Sequence, residues 1–434
     1  MTERPSLRRG SLLNFADGAI SLTAALLVSV LLARKLHPDG FGQYALVMSI
    51  VSFAYLFARA GIPGTVRRYA AEFDGRGERD LIGMVTARGL RNAMLTGLGA
   101  ALLLLAAAGP LSTFFRNPAL RSYLLLGAVL LLPMVPLSVL RALLGGLQQY
   151  KFLMQVSLWT SPIWLAACGV ALYAGAGIIG VLLATLGIEV VNLAALGWKA
   201  AREVSIGWHG HLPEAVRNRL KRYNLALAAL ILLDVIVWQR SELLFLGRLS
   251  SAAEVSFYAV PFALTERVVD LIPGAVLGVL LPGLAYAQSS PDPLRVSAVF
   301  GEALRYLTLL TLPITIAGIL LAPIVIHILY GDGFAGATFV LQILLVAVVF
   351  GVIGQASRSA LLGMEAQGRL LKTGVVAAAL SIVLDLVLIP RWGAVGAAIA
   401  NSTVQGAWAV AIFIPLWRRL DRRAAPVIRE VVAS

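Results

Sequence analysis

Apolar runs separated by short polar loops dominate the chain, and each run has about the length that crosses a bilayer. Their approximate bounds are 12–33, 41–61, 88–108, 121–143, 152–174, 177–198, 223–247, 255–284, 304–328, 335–357, 371–390 and 393–417. A hydrocarbon core offers no water to backbone N–H and C=O groups, so each run is predicted to be an α-helix. The pattern therefore predicts an all-α polytopic membrane protein with about twelve transmembrane helices.

Basic residues are distributed unevenly between the loops on the two sides of these helices. One set of alternate loops, together with both termini, holds 28 of the 36 Lys and Arg residues, whereas the other set holds six. By the positive-inside rule, both termini are expected to be cytoplasmic. The net charge of +14 is thereby explained by topology and contact with anionic lipid, and no nucleic-acid partner is expected.

Composition and motifs disfavour an enzyme. The chain is 59% hydrophobic and 13% charged, with a mean hydropathy of +0.85 and one cysteine, Cys168, inside an apolar run. The predicted outer loops are short, and the sequence has no Gly-rich phosphate loop, catalytic triad or zinc-binding pattern. A membrane polysaccharide polymerase or glycosyltransferase is therefore the less favoured alternative, and neither a cofactor nor a metal site is expected.

The two halves of the chain resemble each other. Matched segments are 31–46 with 245–260, 63–64 with 282–283, 142–145 with 360–363, and 177–180 with 393–396, at offsets of 214 to 219. This duplication predicts two pseudo-symmetric six-helix bundles: an N-lobe over 1–200 and a C-lobe over 222–434, joined by a basic cytoplasmic linker over 201–221. Parallel repeats of this kind predict a substrate site between the lobes and transport by alternating access.

Four segments carry a resemblance to a known family. They are LARKLHPDGFGQY at 32–44, GIP at 61–63 followed by RRYAAE at 67–72, LYGDGFAGA at 329–337, and LIPRWGAVGAAIA at 388–400. The ordered set resembles the polysaccharide-biosynthesis flippases, the Wzx-type members of the multidrug/oligosaccharidyl-lipid/polysaccharide (MOP) exporter superfamily. The likeness extends over nearly the whole chain.

The resemblance implies a flippase in the plasma (inner) membrane. Such a protein moves a polyprenyl-pyrophosphate-linked oligosaccharide from the inner to the outer leaflet for cell-surface polysaccharide assembly, with assembly enzymes as further partners. Relatives that flip the peptidoglycan precursor usually carry two more helices, which disfavours that substrate. The alternative within the superfamily is a cation-coupled multidrug exporter.

Positive charges point to an anionic headgroup as substrate. Arg240 and Arg267 are the basic residues that lie well inside predicted spans, where an ionised side chain is costly. We hypothesise that they bind pyrophosphate, with Arg59, Arg88 and Arg91 forming a basic mouth at the inner face. The alternatives are salt bridges within the C-lobe for the first pair and snorkelling at helix ends for the other three.

Acidic residues at membrane depth are the candidate charge partners or sites for a coupling cation or proton. They are Asp17, Asp234, Glu242, Glu266 and Asp270. Asp234 and Arg267 lie at similar predicted depths, which permits an ion pair. Asp17 can bind the coupling ion or pair with a neighbouring arginine, and the sequence leaves both readings open.

Overall fold

The structure is a computed structural model that describes the backbone of residues 7–205, 207, 212–238, 241–267, 294–363 and 367–433. Side chains are described for these residues except 7–9, 230–238, 241, 294–298, 362–363, 367 and 419–433. The described residues are almost entirely helical. The helices are α1 (Leu7–Arg59), α2 (Ile62–Arg76), α3 (Arg79–Phe114), α4 (Leu120–Gly146), α5 (Tyr150–Tyr173), α6 (Gly177–Glu203), α7 (Glu214–Trp238), α8 (Ser241–Leu249), α9 (252–267), α10 (Leu294–Tyr330), α11 (Ala337–Gly363) and α12 (Gln367–Ala433), with a short 3-10 helix at Asp332–Phe334.

The first and last helices are each long enough for two crossings. Their apolar parts, Gly10–Arg59 and Gly368–Arg418, have 50 and 51 residues. At 1.5 Å per residue each would extend about 75 Å, more than twice the roughly 30 Å of a hydrocarbon core. Both are broken by a residue with positive φ, His37 (φ 57°) in α1 and Gly393 (φ 52°) in α12. Each therefore contains two membrane segments. The break at His37 lies inside the predicted loop 34–40, and the break at Gly393 lies at the first residue of the predicted span 393–417.

Helix lengths and hydropathy agree with the predicted spans. Eight helices in the described part are long and apolar enough to cross a membrane, and two of these contain two segments each. The predicted spans 223–247 and 255–284 correspond to α7 with α8 and to α9, whose described residues are helical. The all-α polytopic fold class predicted from the sequence is therefore confirmed.

Backbone conformation repeats along the chain as the duplication requires. At the 218-residue offset, Gly145 near the end of α4 is the counterpart of Gly363 in α11, and both residues are helical. Gly177 at the start of α6 has φ 55°, and its repeat counterpart Gly393 has φ 52°. A residue with a side chain rarely adopts this conformation, so glycine at both positions is explained by the turn that begins the helix. The matched residues Pro282 and Gly283 lie outside the described residues.

The chain divides into two compact units, Met1–Val235 and Ile236–Ser434. The first contains α1 to α6 and nearly all of α7, and the second contains α8 to α12. The division into a six-helix N-lobe over 1–200, a linker over 201–221 and a C-lobe over 222–434 remains a prediction.

The start of α7 is anchored to α2 within the first unit. Arg219 donates two hydrogen bonds to the Glu72 carboxylate, at 2.8 and 3.2 Å. The Tyr223 ring packs edge-on against the buried Tyr69 ring, with centroids 5.9 Å apart, and lies 4.3 Å from the Arg68 guanidinium. A hydrogen bond with Tyr223 raises the pKa of Arg68. The contacts of Arg219 and Tyr223 hold the start of α7 against α2.

Glu254 caps the second half of α12 within the second unit. The backbone N–H of Ala394, just after the break at Gly393, donates a 2.6 Å hydrogen bond to Glu254 Oε2. The first N–H groups of a helix lack partners within the helix, and a carboxylate there also interacts favourably with the helix dipole. The first turn of α9 is thereby joined to the break in α12.

We predict that Glu254→Ala lowers the free energy of unfolding by about 1 kcal/mol, the usual cost of losing a helix cap. Thermal unfolding of the purified protein in detergent, followed by circular dichroism, measures the change. Glu254→Gln keeps a side-chain oxygen as acceptor and should lose clearly less. Equal stability of Glu254→Ala and the unsubstituted protein would show that the cap contributes nothing.

Candidate functional site

A cavity of about 460 Å³ lies within the first unit. Its walls come from both segments of α1 and from α2, α4, α5 and α6. The polar and aromatic side chains that line it are Asn14, Asp17, Tyr55, Arg59, Arg67, Ser138, Arg141, Tyr150, Glu189 and Asn192. These positions lie near the helix ends that join the Arg-rich loops, so the cavity belongs to the basic end of the bundle.

Helical periodicity places these side chains on the cavity-facing side of each helix. Residues three or four apart share a face of a helix. The lining pairs at this spacing are Asn14 with Asp17, Tyr55 with Arg59, Ser138 with Arg141, and Glu189 with Asn192. Gly146 allows the close approach of α4 to α2, because a Cβ there would lie 2.6 Å from the carbonyl oxygen of Arg67.

The cavity brings together three guanidinium groups and two carboxylates. Arg141 Nη1 lies 3.6 Å from Asp17 Oδ2, and Arg67 Nη2 donates a 3.4 Å hydrogen bond to the Tyr150 hydroxyl. The Arg59 guanidinium lies 5.0 Å from the centre of the Tyr55 ring. With every group ionised, the polar lining carries one net positive charge.

Two buried acceptor atoms in this cavity lack hydrogen-bond partners among the described residues. They are Asp17 Oδ1 and Asn192 Oδ1. A buried polar atom without a partner is costly, so such atoms are natural contacts for a ligand or for water. The cavity can therefore receive an anion at its arginines and hydroxyl donors at these oxygens.

The structure separates the three arginines that the sequence grouped at the inner face. Arg59 lines the large cavity, whereas Arg88 lines a smaller pocket of about 100 Å³ between α2, α3 and α7. Arg91 is exposed on α3. From the sequence, Arg141 and Arg67 were both interpreted as markers of topology, although both line the large cavity.

The second unit contains a buried acidic cluster. Glu242 on α8 is 4% exposed and accepts a 2.8 Å hydrogen bond from Asn401 Nδ2 on α12. Gln405 Nε2 donates a 2.6 Å hydrogen bond to Asn401 Oδ1. Asp385 is fully buried, interacts electrostatically with Glu242, and lies 3.5 Å from the Ser381 hydroxyl through Oδ2.

The surroundings of this cluster suit a bound cation or proton. The hydrogen-bond partners observed for Glu242 and Asp385 are neutral side chains, and Asp385 Oδ1 has no hydrogen-bond partner among the described residues. Two carboxylates in an apolar bundle require neutralisation, because burying an unpaired charge is expensive. The sequence indicated Glu242 but not its partners. Asp385 was, like Asp17, open to either ion binding or pairing with an arginine, and Asn401 was given no role.

The remaining predicted residues are placed only in part. Glu266 and Arg267 are consecutive, half-buried residues at the end of α9. Arg240, Asp270 and the side chain of Asp234 lie outside the described residues. The ion pair of Asp234 with Arg267, and pyrophosphate binding by Arg240 and Arg267, therefore stay predictions.

Comparison with known proteins identifies the family. Residues 31–339, more than two thirds of the chain, match the profile of a family described as polysaccharide biosynthesis protein. A curated relative, a proposed O-antigen transporter of Shigella flexneri, is 22% identical over 411 residues, which cover 92% of this chain and 94% of the relative.

Solved structures show the same fold. An inward-facing multidrug resistance transporter of the MATE family, in the MOP superfamily, has a TM-score of 0.79 at 15% identity, covering 95% of this chain and 99% of that one. The lipid II flippase MurJ, in an inward closed conformation, has a TM-score of 0.73 at 12% identity, covering 93% and 87%. The protein therefore belongs to the polysaccharide biosynthesis protein family and has the fold of the MOP exporters.

Proposed function

We propose that this protein is a flippase that moves a polyprenyl-pyrophosphate-linked oligosaccharide from the inner to the outer leaflet of the plasma membrane. Membership of the polysaccharide biosynthesis family and the O-antigen transporter relative support this assignment. The observation that carries it is the cavity in the first unit, where three arginines meet at the basic end of the bundle. Transport of this kind makes and breaks no covalent bond.

The arginine geometry suits a diphosphate. Each guanidinium presents several N–H donors in a planar fork that matches phosphate oxygens, and it remains charged when desolvated. The 3.6 Å separation of Arg141 and Asp17 is longer than an ordinary N–H···O hydrogen bond, so Arg141 retains donors for a ligand. Without substrate, Arg141 pairs with Asp17, and when the substrate arrives Arg141 binds its phosphate instead.

The cavity also suits the first sugars of a glycan. Its volume of about 460 Å³ lies within the range of small-molecule sites, roughly 300–1,000 Å³. Sugar hydroxyls can donate to Asp17 Oδ1 and Asn192 Oδ1, which lack partners among the described residues. The rings of Tyr55 and Tyr150 offer flat apolar surfaces to a sugar. The polyprenyl chain is too large for the cavity and extends into the bilayer.

Topology and energetics agree with outward movement. With the basic loops in the cytoplasm, the cavity faces the inner leaflet, where the substrate is made. Each negative charge moved outward across 100 mV, inside negative, gains about 2.3 kcal/mol, so a diphosphate with two charges gains about 4.6 kcal/mol. The alternating-access mechanism and the polysaccharide-assembly enzymes as partners belong to the same proposal.

We further propose that the acidic cluster of the second unit binds the coupling cation or proton. Glu242 and Asp385 have neutral hydrogen-bond partners, so a cation or protons can neutralise them. Movement of this ion down its electrochemical gradient would provide the energy that resets the carrier after the substrate leaves.

A cation-coupled multidrug exporter is the second candidate, favoured by the fold shared with the MATE transporter and by the buried carboxylates. Cationic drugs require an acidic or neutral cavity. Three arginines against two carboxylates in the first unit argue for an anionic substrate instead.

We predict that replacing cavity arginines reduces glycan export. Arg67→Gln with Arg141→Gln should lower export about tenfold or more, because hydrogen bonds to charged groups contribute about 1.5–3 kcal/mol each. Surface polysaccharide in a strain that lacks the flippase and expresses each variant measures export. The lipid-linked oligosaccharide should accumulate on the cytoplasmic face of the same cells.

Arg91→Gln is the matched control, since Arg91 is exposed and outside the cavity. Arg141→Lys keeps the charge but not the planar fork, so its export should lie between that of the Arg91→Gln control and that of the double variant. Full export by the double variant at normal protein levels would remove these arginines from substrate binding. The same export assay on a variant with Arg240→Gln and Arg267→Gln tests the predicted binding of pyrophosphate by that pair.

We predict that Glu242→Gln with Asp385→Asn abolishes the dependence of transport on an ion gradient. Reconstituted vesicles with imposed proton or sodium gradients provide the measurement, and Glu302→Gln, an exposed carboxylate of the same unit, is the control. Since the amides remove buried charge, thermal stability should be maintained or raised. Unchanged ion dependence in the double variant would exclude this cluster from coupling.

A further inference from the structure

A second, smaller pocket lies in the first unit where α2, α3 and α7 meet. Its volume is about 100 Å³, less than a quarter of that of the large cavity. Its polar lining consists of Thr65, Arg88, Asn92, Lys221 and Asn224. None of the described residues that line it is acidic, in contrast to the large cavity with its two carboxylates.

The polar groups of this pocket are arranged to donate hydrogen bonds to an anion. Arg88 and Lys221 supply positive charge from different helices. The Thr65 hydroxyl donates a 2.9 Å hydrogen bond to the Gly61 carbonyl and lies 3.1 Å from Asn224 Oδ1, which joins the Asn224 amide on α7 to α2 at this pocket. Asn92 lies one helical turn from Arg88 and adds a second amide. A phosphate group matches this set in charge and in size.

The face of α3 that carries these residues continues as an apolar stripe. Leu95 and Leu102 follow Arg88 and Asn92 at helical spacing and are 63% and 56% exposed. They lie about 10 and 21 Å from Arg88 along the helix axis, a span comparable to the roughly 15 Å of one leaflet of the core. On α7, Leu225 lies one turn after Lys221 and is 59% exposed.

From this combination we propose that the pocket binds the phosphate of an anionic phospholipid, whose acyl chains lie along the exposed leucines of α3. The lipid would hold α7 against α2 and α3 at the point where α7 enters the bundle. This site is separate from the arginine cavity and does not depend on the proposed flippase activity. Free phosphate shares the headgroup chemistry but gains nothing from the apolar stripe.

Native mass spectrometry of the full-length protein in detergent tests the proposal. With phosphatidylglycerol and phosphatidylcholine of equal chain length, the unsubstituted protein should retain phosphatidylglycerol preferentially. Arg88→Gln with Lys221→Gln should weaken that retention about tenfold or more, because two charged contacts are lost. Arg91→Gln with Arg222→Gln removes the same charge from two exposed positions on the same helices and should retain the preference.

These measurements distinguish a phospholipid from a soluble phosphate compound as the ligand of the pocket. Equal retention of both lipids, or an equal loss in the control variant, would overturn the site. Glycerol 3-phosphate that competes as strongly as phosphatidylglycerol would overturn the lipid as ligand. Should the double variant fail to fold, Lys221→Gln alone, at an exposed side chain, is judged by the same criteria with Arg222→Gln as its control.

Discussion

A hydrocarbon core satisfies neither backbone polar groups nor charges, and the architecture follows from that constraint. Backbone groups pair within helices, so the apolar runs are helical throughout the described part of the chain. Segments of 50 and 51 residues cannot cross such a core as single straight helices, and breaks at His37 and Gly393 divide them. Charged side chains must likewise meet partners or line a cavity, which concentrates them at a few places.

The two halves have similar helices but carry different side chains at equivalent positions. Glu189 and Asn192 line the cavity of the first unit, and at the 216-residue offset of Gly177 and Gly393 their counterparts are Gln405 and Trp408. The first unit therefore has an arginine-rich cavity, whereas the second has a buried pair of carboxylates. A duplicated scaffold of this kind can assign an anionic substrate to one half and a coupling cation to the other.

The balance of charge distinguishes this protein from a drug exporter more clearly than the fold does. The MATE transporter and MurJ both match the chain with TM-scores above 0.7, so fold alone does not select a substrate class. Arginines in the first unit favour phosphate, and family membership connects that preference with polysaccharide biosynthesis. The small pocket between α2, α3 and α7 is lined by hydrogen-bond donors, and none of its described lining residues is acidic. The sequence placed Arg88 of this pocket in one group with Arg59 and Arg91, so a separate site was not predicted.

The sequence by itself determined the helices, the positions of their breaks, the uneven distribution of basic loops and the family. These features depend on local chemistry: apolar length, turn residues and motifs that are contiguous in the chain. Only the tertiary structure decided which charges meet, as for Asp17 and Arg141, or Glu242 and Asp385. The physical reason is that lipid is as apolar as the protein core, so hydrophobic pattern does not separate a lipid-facing from a buried face. Leu103 and Leu104 are adjacent and chemically identical, yet they are 73% and 5% exposed, and only packing distinguishes them.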